Sequence, residues 1–472
     1  MSSLPLVVDF DHGLLSCNLG MEAAFALARE KPLHALVTLL RFASGGSGTV
    51  LLAESHPQID VATLPYNAEV LALVEGARKN GRPVYLVSSR YRQYATAAAE
   101  HLNLFDAVVT SDTAGDTLRS DAGAGVACQL GAGSFDFVGQ ARSDLWTRAR
   151  NLVLVNPTAA LESAARVRGN LTDVIRSRNS PLLAWIHALR LHQWLKNVLV
   201  LVPLFASHRV LGSGSLASEA IAFVLFGCCA SSVYLLNDLF DLRDDRHHPT
   251  KRNRPFASGR LPIASGLVGL VLLLVVAFVG SIWLLPPEFT AALGAYYVIT
   301  LAYSLALKRV MMLDVVLLAV LYTLRIVAGT FAFGGELTFW MLAFSMFIFF
   351  SLALAKRYGE LRDARLNGRT AHTRGRGYVP SDLEMISAMG IASGLLSVMV
   401  LAFYIQDGAT TALYRNPKLI WFACPLLLFW IGRTWMLTHR GEMHDDPVVF
   451  AITDRASLLT GALFGLIFAL AS

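Results

Sequence analysis

Cysteine is scarce in this chain of 472 residues, and the five that occur follow no recognisable pattern. They show neither the paired spacing of a zinc site nor a disulfide framework. We therefore expect small buried side chains and a reducing compartment for the soluble part. We also expect no signal peptide, because the N-terminus runs directly into a strand-like segment at 4–10.

Charge is also in short supply. Charged residues make up 16% of the chain and hydrophobic residues 54%, a balance that is unusual for a soluble protein. The formal net charge of +6 is modest, and no segment interleaves basic and aromatic residues, so we expect no nucleic-acid partner. The shortage is uneven. Residues 1–180 are typical of a soluble domain, whereas residues 181–472 carry repeated apolar runs of membrane-spanning length.

Strand-like and helix-like segments alternate over residues 1–157, which predicts an α/β domain with a doubly wound parallel sheet. The first strand leads into Asp9 and Asp11, and a later strand at 83–89 ends in hydroxyls that include Ser88. Open α/β sheets bind ligands at the carboxyl ends of their strands. We expect these side chains to meet there. Residues 158–182 are expected to form a basic linker with short helices at 160–167 and 171–178.

Residues 183–472 predict an all-α polytopic membrane domain of about nine transmembrane helices in the lipid bilayer. The apolar runs cover approximately 194–211, 217–238, 263–285, 289–306, 311–333, 338–355, 384–405, 417–437 and 449–471. Cations concentrate in the loops after the second, fourth, sixth and eighth runs, and the positive-inside rule assigns such loops to the cytoplasm. We expect a multi-pass protein of the inner (cytoplasmic) membrane, with the N-terminal domain and the active site on the cytoplasmic side.

The second apolar run ends in carboxylates that are followed by cations, SVYLLNDLFDLRDDRHHPTKRNRP at residues 232–255. On a continuous helix, one arc of about a third of the circle would carry Asn237, Asp238, Asp241, Asp244 and Asp245. Several carboxylates on one face are unfavourable unless a cation lies among them. Mg²⁺ prefers such oxygen ligands and usually shares them with substrate phosphates. The sequence therefore predicts Mg²⁺ as the cofactor, and a solvated helix end is the alternative.

Cations elsewhere in this part of the chain suit phosphate groups. The candidates are Lys251, Arg252, Arg254, Lys356, Arg357 and Arg376. Loops that only orient the protein and touch anionic lipid would explain the cations, but not the acids that alternate with them. Arg325 lies well inside the fifth run, where a charged side chain indicates a functional site. The structural alternative is an ion pair with an acid of another helix, and Asp314 lies close to the same face.

The pattern Asn237-Asp-Leu-Phe-Asp241 with Asp245 resembles the UbiA superfamily of intramembrane prenyltransferases, which bind a diphosphate through Mg²⁺. Three segments, 189–197, 248–255 and 354–361, resemble the decaprenyl-phosphate phosphoribosyltransferase branch of that superfamily. This resemblance implies transfer of 5-phosphoribosyl from phosphoribosyl pyrophosphate to a polyprenyl phosphate lipid, with release of pyrophosphate. The product would be a precursor of arabinose donors for the cell envelope.

The resemblance also implies roles for individual residues. Mg²⁺ would be held by Asn237, Asp238, Asp241 and Asp245, and the catalytic residues would be Asp238, Asp241, Lys196 and Arg325. Two alternatives stay open. One is prenyl transfer from a prenyl diphosphate to an aromatic acceptor, and the other is a transporter or scaffold without catalysis. The sequence leaves the oligomeric state open, a homo-oligomer included.

The N-terminal spacing resembles the haloacid-dehalogenase-like phosphohydrolases. The family's nucleophile, acid/base, phosphate-binding hydroxyl and metal carboxylate would correspond to Asp9, Asp11, Ser88 and Asp144. The sequence departs from the family at Gln140, which stands where a metal carboxylate is expected, and no lysine occurs between Lys79 and Lys196, so that Arg119 is the available substitute. Loss of a metal carboxylate weakens a Mg²⁺ site. Two interpretations remain, a phosphatase of the lipid-linked product and an inactive regulatory module.

Overall fold

The computed structural model describes residues 4–30, 59–88, 91–110, 133–140, 145–176, 180–206, 213–368, 377–408, 414–443 and 446–471. The chain divides into two compact units. The first unit comprises Met1–Leu189 and Leu235–Gly269, and the second comprises Arg190–Tyr234 and Leu270–Ser472. The carboxylates of residues 237–245 therefore belong to the same compact unit as the N-terminal domain.

Six parallel strands form one sheet in the first unit, in the order β3-β2-β1-β4-β5-β6. They are β1 (Leu6–Asp9), β2 (Val84–Ser88), β3 (Ala107–Thr110), β4 (Asp136–Gly139), β5 (Asn151–Val155) and β6 (Leu171–Ile175). The strand order reverses between β1 and β4, and ligands of open α/β sheets bind at such a switch point. The predicted parallel sheet is confirmed, whereas a haloacid-dehalogenase-like fold stays a prediction.

Helices cover both faces of this sheet. They are α1 (Leu19–Glu30), α2 (Ala68–Lys79), α3 (Arg92–Leu102), α4 (Leu145–Arg148) and α5 (Ala159–Arg168), and the chain continues into α6 (Pro181–Ala188). Because side chains alternate along a strand, Leu6 and Val8 pack in one core with Val70 of α2. Val7 packs in the opposite core, together with Ala165 of α5. The sheet is therefore buried on both faces, as expected for a doubly wound domain.

The helical prediction for 171–178 is wrong, because residues 171–175 form strand β6. β6 pairs with β5, for example Leu154 with Val174 and Val155 with Ile175. The β-branched residues of this segment favour a strand, and pairing at the open edge of the sheet overrides its basic, linker-like composition. The sheet consequently continues beyond residue 157, where the sequence predicted the end of the N-terminal domain.

The remaining helices contain the apolar runs. They are α7 (Val202–Ala206), α8 (Ser213–Phe240), α9 (Leu242–His247), α10 (Ile263–Leu284), α11 (Pro287–Leu305), α12 (Leu313–Ala332), α13 (Phe339–Leu366), α14 (Leu383–Gln406), α15 (Ala423–Arg440), α16 (Pro447–Thr453) and α17 (Arg455–Ala471). Short 3₁₀ segments occur at Leu191–Val200, Lys251–Asn253, Leu307–Arg309, Pro380–Asp382 and Pro417–Phe422. The domain is helical, as predicted.

Within the described residues, six helical segments are long and apolar enough to cross a membrane. They are Ser215–Phe240, Ile263–Leu284, Leu313–Ala332, Phe339–Leu366, Pro380–Gln406 and Pro417–Arg440. α16 and α17, which are bent by 77°, add a seventh if they form one span. The expected count of nine is not confirmed. The first expected span is not one regular helix in its described part, because the 3₁₀ segment Leu191–Val200 ends before α7 begins at Val202. Pro203 lies in the first turn of α7, where a missing backbone N–H is tolerated.

Candidate functional site

The acidic residues do not lie on one continuous helix. α8 ends at Phe240, Asp241 has backbone angles of φ −88° and ψ 6°, and α9 begins at Leu242. Helical hydrogen bonds continue across this one-residue break, because the backbone N atoms of Asp241 and Asp245 donate to the carbonyls of Asn237 and Asp241, each at 2.8 Å. Asp238 and Asp245 are each 2% exposed, whereas Asp244 is exposed to solvent and Asn237 and Asp241 are half-buried. Asp238 and Asp245 both contact Arg254, and the common arc of all five side chains stays a prediction.

Arg254 neutralises one of the two buried carboxylates. Its Nη1 donates to Asp238 Oδ1 at 3.0 Å and to Asp245 Oδ2 at 2.7 Å. We call Asp238, Asp245 and Arg254 the acidic cluster. Burial raises the pKa of Asp245, although Arg254 opposes this rise. Lys251 also acts electrostatically on Asp245 and opposes the rise in its pKa.

A divalent cation that is shared with a substrate stays a prediction for this cluster. In the part of the chain that the structure describes, no three His, Cys, Asp or Glu side chains form a group that could hold a metal ion. Mg²⁺, however, is commonly bound by one or two carboxylates and completes its shell with water and phosphate oxygens. Asp238 and Asp245 supply such a pair. Lys251 and Arg252 lie on the exposed 3₁₀ segment ahead of Arg254 and add two solvated cations to this loop.

A second charged cluster, in the second unit, has the opposite composition. Lys196 Nζ and Lys356 Nζ donate to the same oxygen, Asp446 Oδ2, at 2.9 and 2.8 Å. Tyr322 Oη donates to Asp446 Oδ1 at 3.0 Å. The side chains of Asp446 and Lys196 are only 9% and 12% exposed. We call Lys196, Lys356 and Asp446 the basic cluster. The side chain of Lys356 is more accessible, at 34% exposed. The three charges sum to +1 around a buried carboxylate, which favours an anion.

Burial and neighbouring charges shift the pKa values in the basic cluster. Burial lowers the pKa of Lys196 to about 8, and Lys356 adds to this effect while Asp446 opposes it. Burial alone would raise the pKa of Asp446, but Lys356 and Lys196 together hold that pKa well below its usual range. Lys196 is therefore an ammonium group that an incoming anion would stabilise.

Asp446 was not among the residues expected from sequence. The available signal was its position in the acid pair before Pro447, just ahead of the last apolar run. Its Oδ1 also accepts a hydrogen bond from the backbone N of Val448 at 3.2 Å, so Asp446 caps α16. One carboxylate thus begins a helix and holds two lysines that are distant in sequence.

Arg325 is 4% exposed and is held by neutral groups. Its guanidinium donates to Asn197 Oδ1 at 3.2 Å, to Tyr296 Oη at 3.0 Å and to the carbonyl of Leu321 at 2.8 Å. It also lies 5.5 Å from the ring of Tyr322, the tyrosine that contacts Asp446. Among the described residues, the buried Nδ2 of Asn197 has no hydrogen-bond partner. Within the described part of the chain, Arg325 therefore adds a cation that forms no ion pair, and Asn197 adds an unused donor, beside the basic cluster.

Asp314, on the same helix as Arg325, does not pair with it, and no ion pair with an acid of another helix occurs among the described contacts of Arg325. Asp314 Oδ2 instead accepts from Arg357 Nε at 2.6 Å. Arg357 is 1% exposed and also donates to Glu360 at 2.6 Å and to Tyr303 at 3.3 Å. These acceptors occupy the guanidinium, so the geometry favours a structural role for Arg357 over the expected phosphate-binding role. Arg376 lies outside the described residues.

The N-terminal candidates lie at the carboxyl ends of β1 and β2. Asp9 Oδ1 accepts from the backbone N atoms of Asp11 at 3.0 Å and His12 at 3.2 Å, and thereby caps the turn after β1. Ser88 Oγ donates to Asp11 Oδ2 at 3.1 Å. A cavity of about 310 Å³ adjoins this edge and is lined by Asp11, His12 and Gln140, among others. Asp144 lies outside the described residues.

The whole chain has relatives among known proteins. The model of the UbiA prenyltransferase family matches residues 199–460. The uncharacterized protein y4nM of Sinorhizobium fredii is 34% identical over 99% of this chain and 91% of its own length. The nodulation protein NoeC of Azorhizobium caulinodans is 34% identical over 61% of this chain and 94% of its own. The decaprenyl-phosphate phosphoribosyltransferase of Mycobacterium tuberculosis is 30% identical over 60% of this chain and 92% of its own.

The family match includes the apolar helices, both carboxylates of the acidic cluster, and Lys356 and Asp446 of the basic cluster. It covers more than half of the chain, and its name agrees with the resemblance carried by residues 237–245. Several helices of spanning length within the match describe a multi-pass membrane protein. The chain belongs to the UbiA prenyltransferase family.

Proposed function

We propose that this protein transfers 5-phosphoribosyl from phosphoribosyl pyrophosphate to a polyprenyl phosphate and releases pyrophosphate. The observation that carries the proposal is the basic cluster, where two lysines share one buried carboxylate. Excess buried positive charge suits substrates with several phosphate groups. The relative from M. tuberculosis, named decaprenyl-phosphate phosphoribosyltransferase, supports the same donor and acceptor classes.

Asp238 and Asp245 would hold Mg²⁺, with Asn237 and Asp241 as further oxygen ligands. When bound, Mg²⁺ would neutralise charge on the leaving pyrophosphate. Arg254 keeps the two buried carboxylates together through the bonds from its Nη1. Lys251 and Arg252 are exposed on the same loop and would bind outer phosphate oxygens of the donor.

The reaction needs little acid–base chemistry. The acceptor's phosphate oxygen is already anionic, so it would attack C1 of the ribose as the bond from C1 to the pyrophosphate oxygen breaks. Positive charge develops on the sugar ring and negative charge on the leaving group, so fixed charges and positioning carry the catalysis. Lys196, Lys356 and Arg325 would bind phosphate oxygens, and Asn197 Nδ2 would donate to them.

We also propose the location and the biological role. The protein would lie in the inner membrane, with the N-terminal domain and the reacting groups on the cytoplasmic side. The lipid-linked phosphoribose would be a precursor of arabinose donors for the cell envelope. The cations in the loops after alternate apolar runs support this orientation.

The test is an assay with purified protein, phosphoribosyl pyrophosphate, Mg²⁺ and polyprenyl phosphates of several lengths. We expect equal amounts of pyrophosphate and lipid-linked phosphoribose. A parallel reaction contains a prenyl diphosphate and an aromatic acceptor, since the family's name favours prenyl transfer as the second candidate. Consumption of the prenyl diphosphate, with no phosphoribosyl product at any chain length, would contradict the proposal and establish the alternative.

For the sheet domain we propose a regulatory or stabilising role with little or no phosphatase activity. Asp9 Oδ1 is engaged by two backbone N–H groups, and Gln140 replaces an expected metal carboxylate. The competing role is removal of the 5-phosphate from the lipid-linked product, with Asp9 as nucleophile. We expect Asp9→Asn and the unmodified protein to give the same ratio of phosphorylated to dephosphorylated lipid. Accumulation of phosphorylated lipid in the variant would establish the phosphatase role.

A further inference from the structure

A buried ion pair connects the sheet domain to the loop that carries the acidic cluster. Arg246 Nη2 donates to Glu22 Oε1 at 2.5 Å, and Arg246 Nη1 donates to Glu22 Oε2 at 3.0 Å. Both side chains are only 6% exposed. Arg246 Nε completes the contact by donating to the carbonyl of Ala257 at 3.1 Å. One guanidinium therefore joins α1 of the sheet domain, helix α9 and the segment that follows Arg254.

Two further contacts support the same junction. His247 Nε2 lies 2.9 Å from Asp60 Oδ2 at the exposed edge. Gly259 has a φ of +72°, and a Cβ at this position would lie 2.9 Å from the carbonyl oxygen of Ser16. The left-handed backbone and the close approach both require glycine. The loop is thus fitted to the sheet domain along several residues.

The junction acts on residues of the acidic cluster. Arg246 directly follows Asp245, and Ala257 lies three residues after Arg254. Helix α9 has only six residues and is joined to α8 by the backbone hydrogen bonds at Asp241 and Asp245. Its position therefore depends on this junction and on tertiary contacts rather than on its own stability. A bidentate arginine–carboxylate pair has strong directional preferences and fixes orientation as well as distance. The pair between Glu22 and Arg246 therefore constrains where Asp245 and Arg254 lie.

We propose that Glu22 is a positioning residue for the acidic cluster, and that the sheet domain holds this cluster in the geometry that binds Mg²⁺. Through Arg246, Glu22 orients α9 and the segment 254–257. This role needs no phosphatase chemistry, and it gives a function to a domain whose candidate active site lacks an expected carboxylate. The inference rests on the proposed Mg²⁺ role of the acidic cluster.

The experiment compares Glu22→Gln with Glu162→Gln in the full chain. Glu162 is a matched control, because it pairs with Arg166 at 2.8 Å on the sheet domain but makes no described contact with residues 241–262. We expect Glu22→Gln to raise the Mg²⁺ concentration for half-maximal transfer about 10-fold, with a much smaller change in kcat at saturating Mg²⁺. Glu162→Gln should match the unmodified protein. The double variant Glu22→Arg with Arg246→Glu should recover part of the loss.

A second readout keeps this inference separate from the proposed reaction. The second readout is the increase in melting temperature that Mg²⁺ alone produces, measured by thermal unfolding. This measurement does not require phosphoribosyl transfer. We expect weaker stabilisation in Glu22→Gln. If Glu22→Gln fails to fold, Asp60→Asn, at the exposed contact with His247, should raise the Mg²⁺ requirement about 2-fold. Unchanged Mg²⁺ dependence in every folded variant would overturn the inference, even if transfer itself is confirmed.

Discussion

The acidic and basic clusters are built from the same kinds of group in opposite proportions. In the first unit, two buried carboxylates share one guanidinium nitrogen. In the second unit, two ammonium groups share one carboxylate oxygen. A buried cluster that serves only stability is expected to be neutral, because an unpaired buried charge is costly. The three defining residues of each cluster sum to one excess charge, so we expect the first cluster to favour a cation and the second to favour an anion.

The difference between the clusters also concerns how each tolerates its excess charge. In the acidic cluster, burial raises the pKa of Asp245, which moves that carboxyl toward its neutral form. In the basic cluster, burial lowers the pKa of Lys196 to about 8, which moves that lysine toward its neutral form. A bound ion of the opposite sign would favour the charged form of Asp245 or of Lys196. The predictions below alter one charge at a time.

The largest effect is expected from Asp238→Asn. This change makes the acidic cluster neutral, because Arg254 keeps its bond to Asp245 at 2.7 Å, so the fold should persist while Mg²⁺ binding is lost. We expect the transfer rate to fall by about 100-fold or more, equivalent to about 3 kcal/mol. The assay is initial-rate kinetics against Mg²⁺ concentration. The control is Asp244→Asn, an exposed acid in α9, and equal losses in both variants would contradict a specific role for Asp238.

Asp446→Asn should have the next largest effect, and it should act on stability. The change leaves two lysines without their shared carboxylate, and we expect the free energy of unfolding to fall by about 1–3 kcal/mol. Pyrophosphate should restore much of this loss, because an anion replaces the missing charge. Thermal unfolding in detergent with and without pyrophosphate measures both effects. A variant that melts like the unmodified protein, with the same response to pyrophosphate, would show that the basic cluster does not bind anions.

A smaller effect is expected from pH acting on Lys196. The pKa of Lys196 is lowered from 10.5 to about 8 in the folded protein, so the folded state binds fewer protons than the unfolded state between these values. This lysine therefore makes folding more favourable as pH rises from about 8 to 10.5. Anion binding should show the opposite trend and weaken as pH rises through about 8. We expect pyrophosphate affinity to fall about 3-fold from pH 7 to pH 9.

Lys196→Arg is the control for the pH effect, because arginine stays protonated over this range. Calorimetric titration with pyrophosphate should therefore give a flatter pH dependence in the variant than in the unmodified protein. The same slope in both proteins would assign the pH dependence to another group and remove Lys196 from the anion-binding set.

Sequence patterns predicted the features that depend on nearby residues. The parallel sheet followed from local alternation, whereas cation binding by residues 237–245 stays a prediction. The paired burial of Asp238 and Asp245 could not be predicted, because it depends on the contact of both carboxylates with Arg254. The segment 171–175 was misassigned because pairing with β5, rather than local composition, decides its structure.

Features that depend on packing between distant helices could not be predicted from the sequence. Asp446 was missed because its partners, Lys196 and Lys356, are 250 and 90 positions away. Asp314 lies close to the face of Arg325 by helical spacing, whereas the packing of α12 against α13 pairs it with Arg357. A functional role for charged residues inside apolar runs stays a prediction, and their partners are set by tertiary structure.

Direct binding of phosphoribosyl pyrophosphate to the purified protein, with and without Mg²⁺, tests the central claim most directly. We expect Mg²⁺ to strengthen this binding at least 10-fold, and we expect Asp238→Asn to abolish the Mg²⁺ dependence. A prenyl diphosphate should compete only weakly with phosphoribosyl pyrophosphate. Mg²⁺-dependent binding of a prenyl diphosphate, with no detectable binding of phosphoribosyl pyrophosphate, would contradict the central claim.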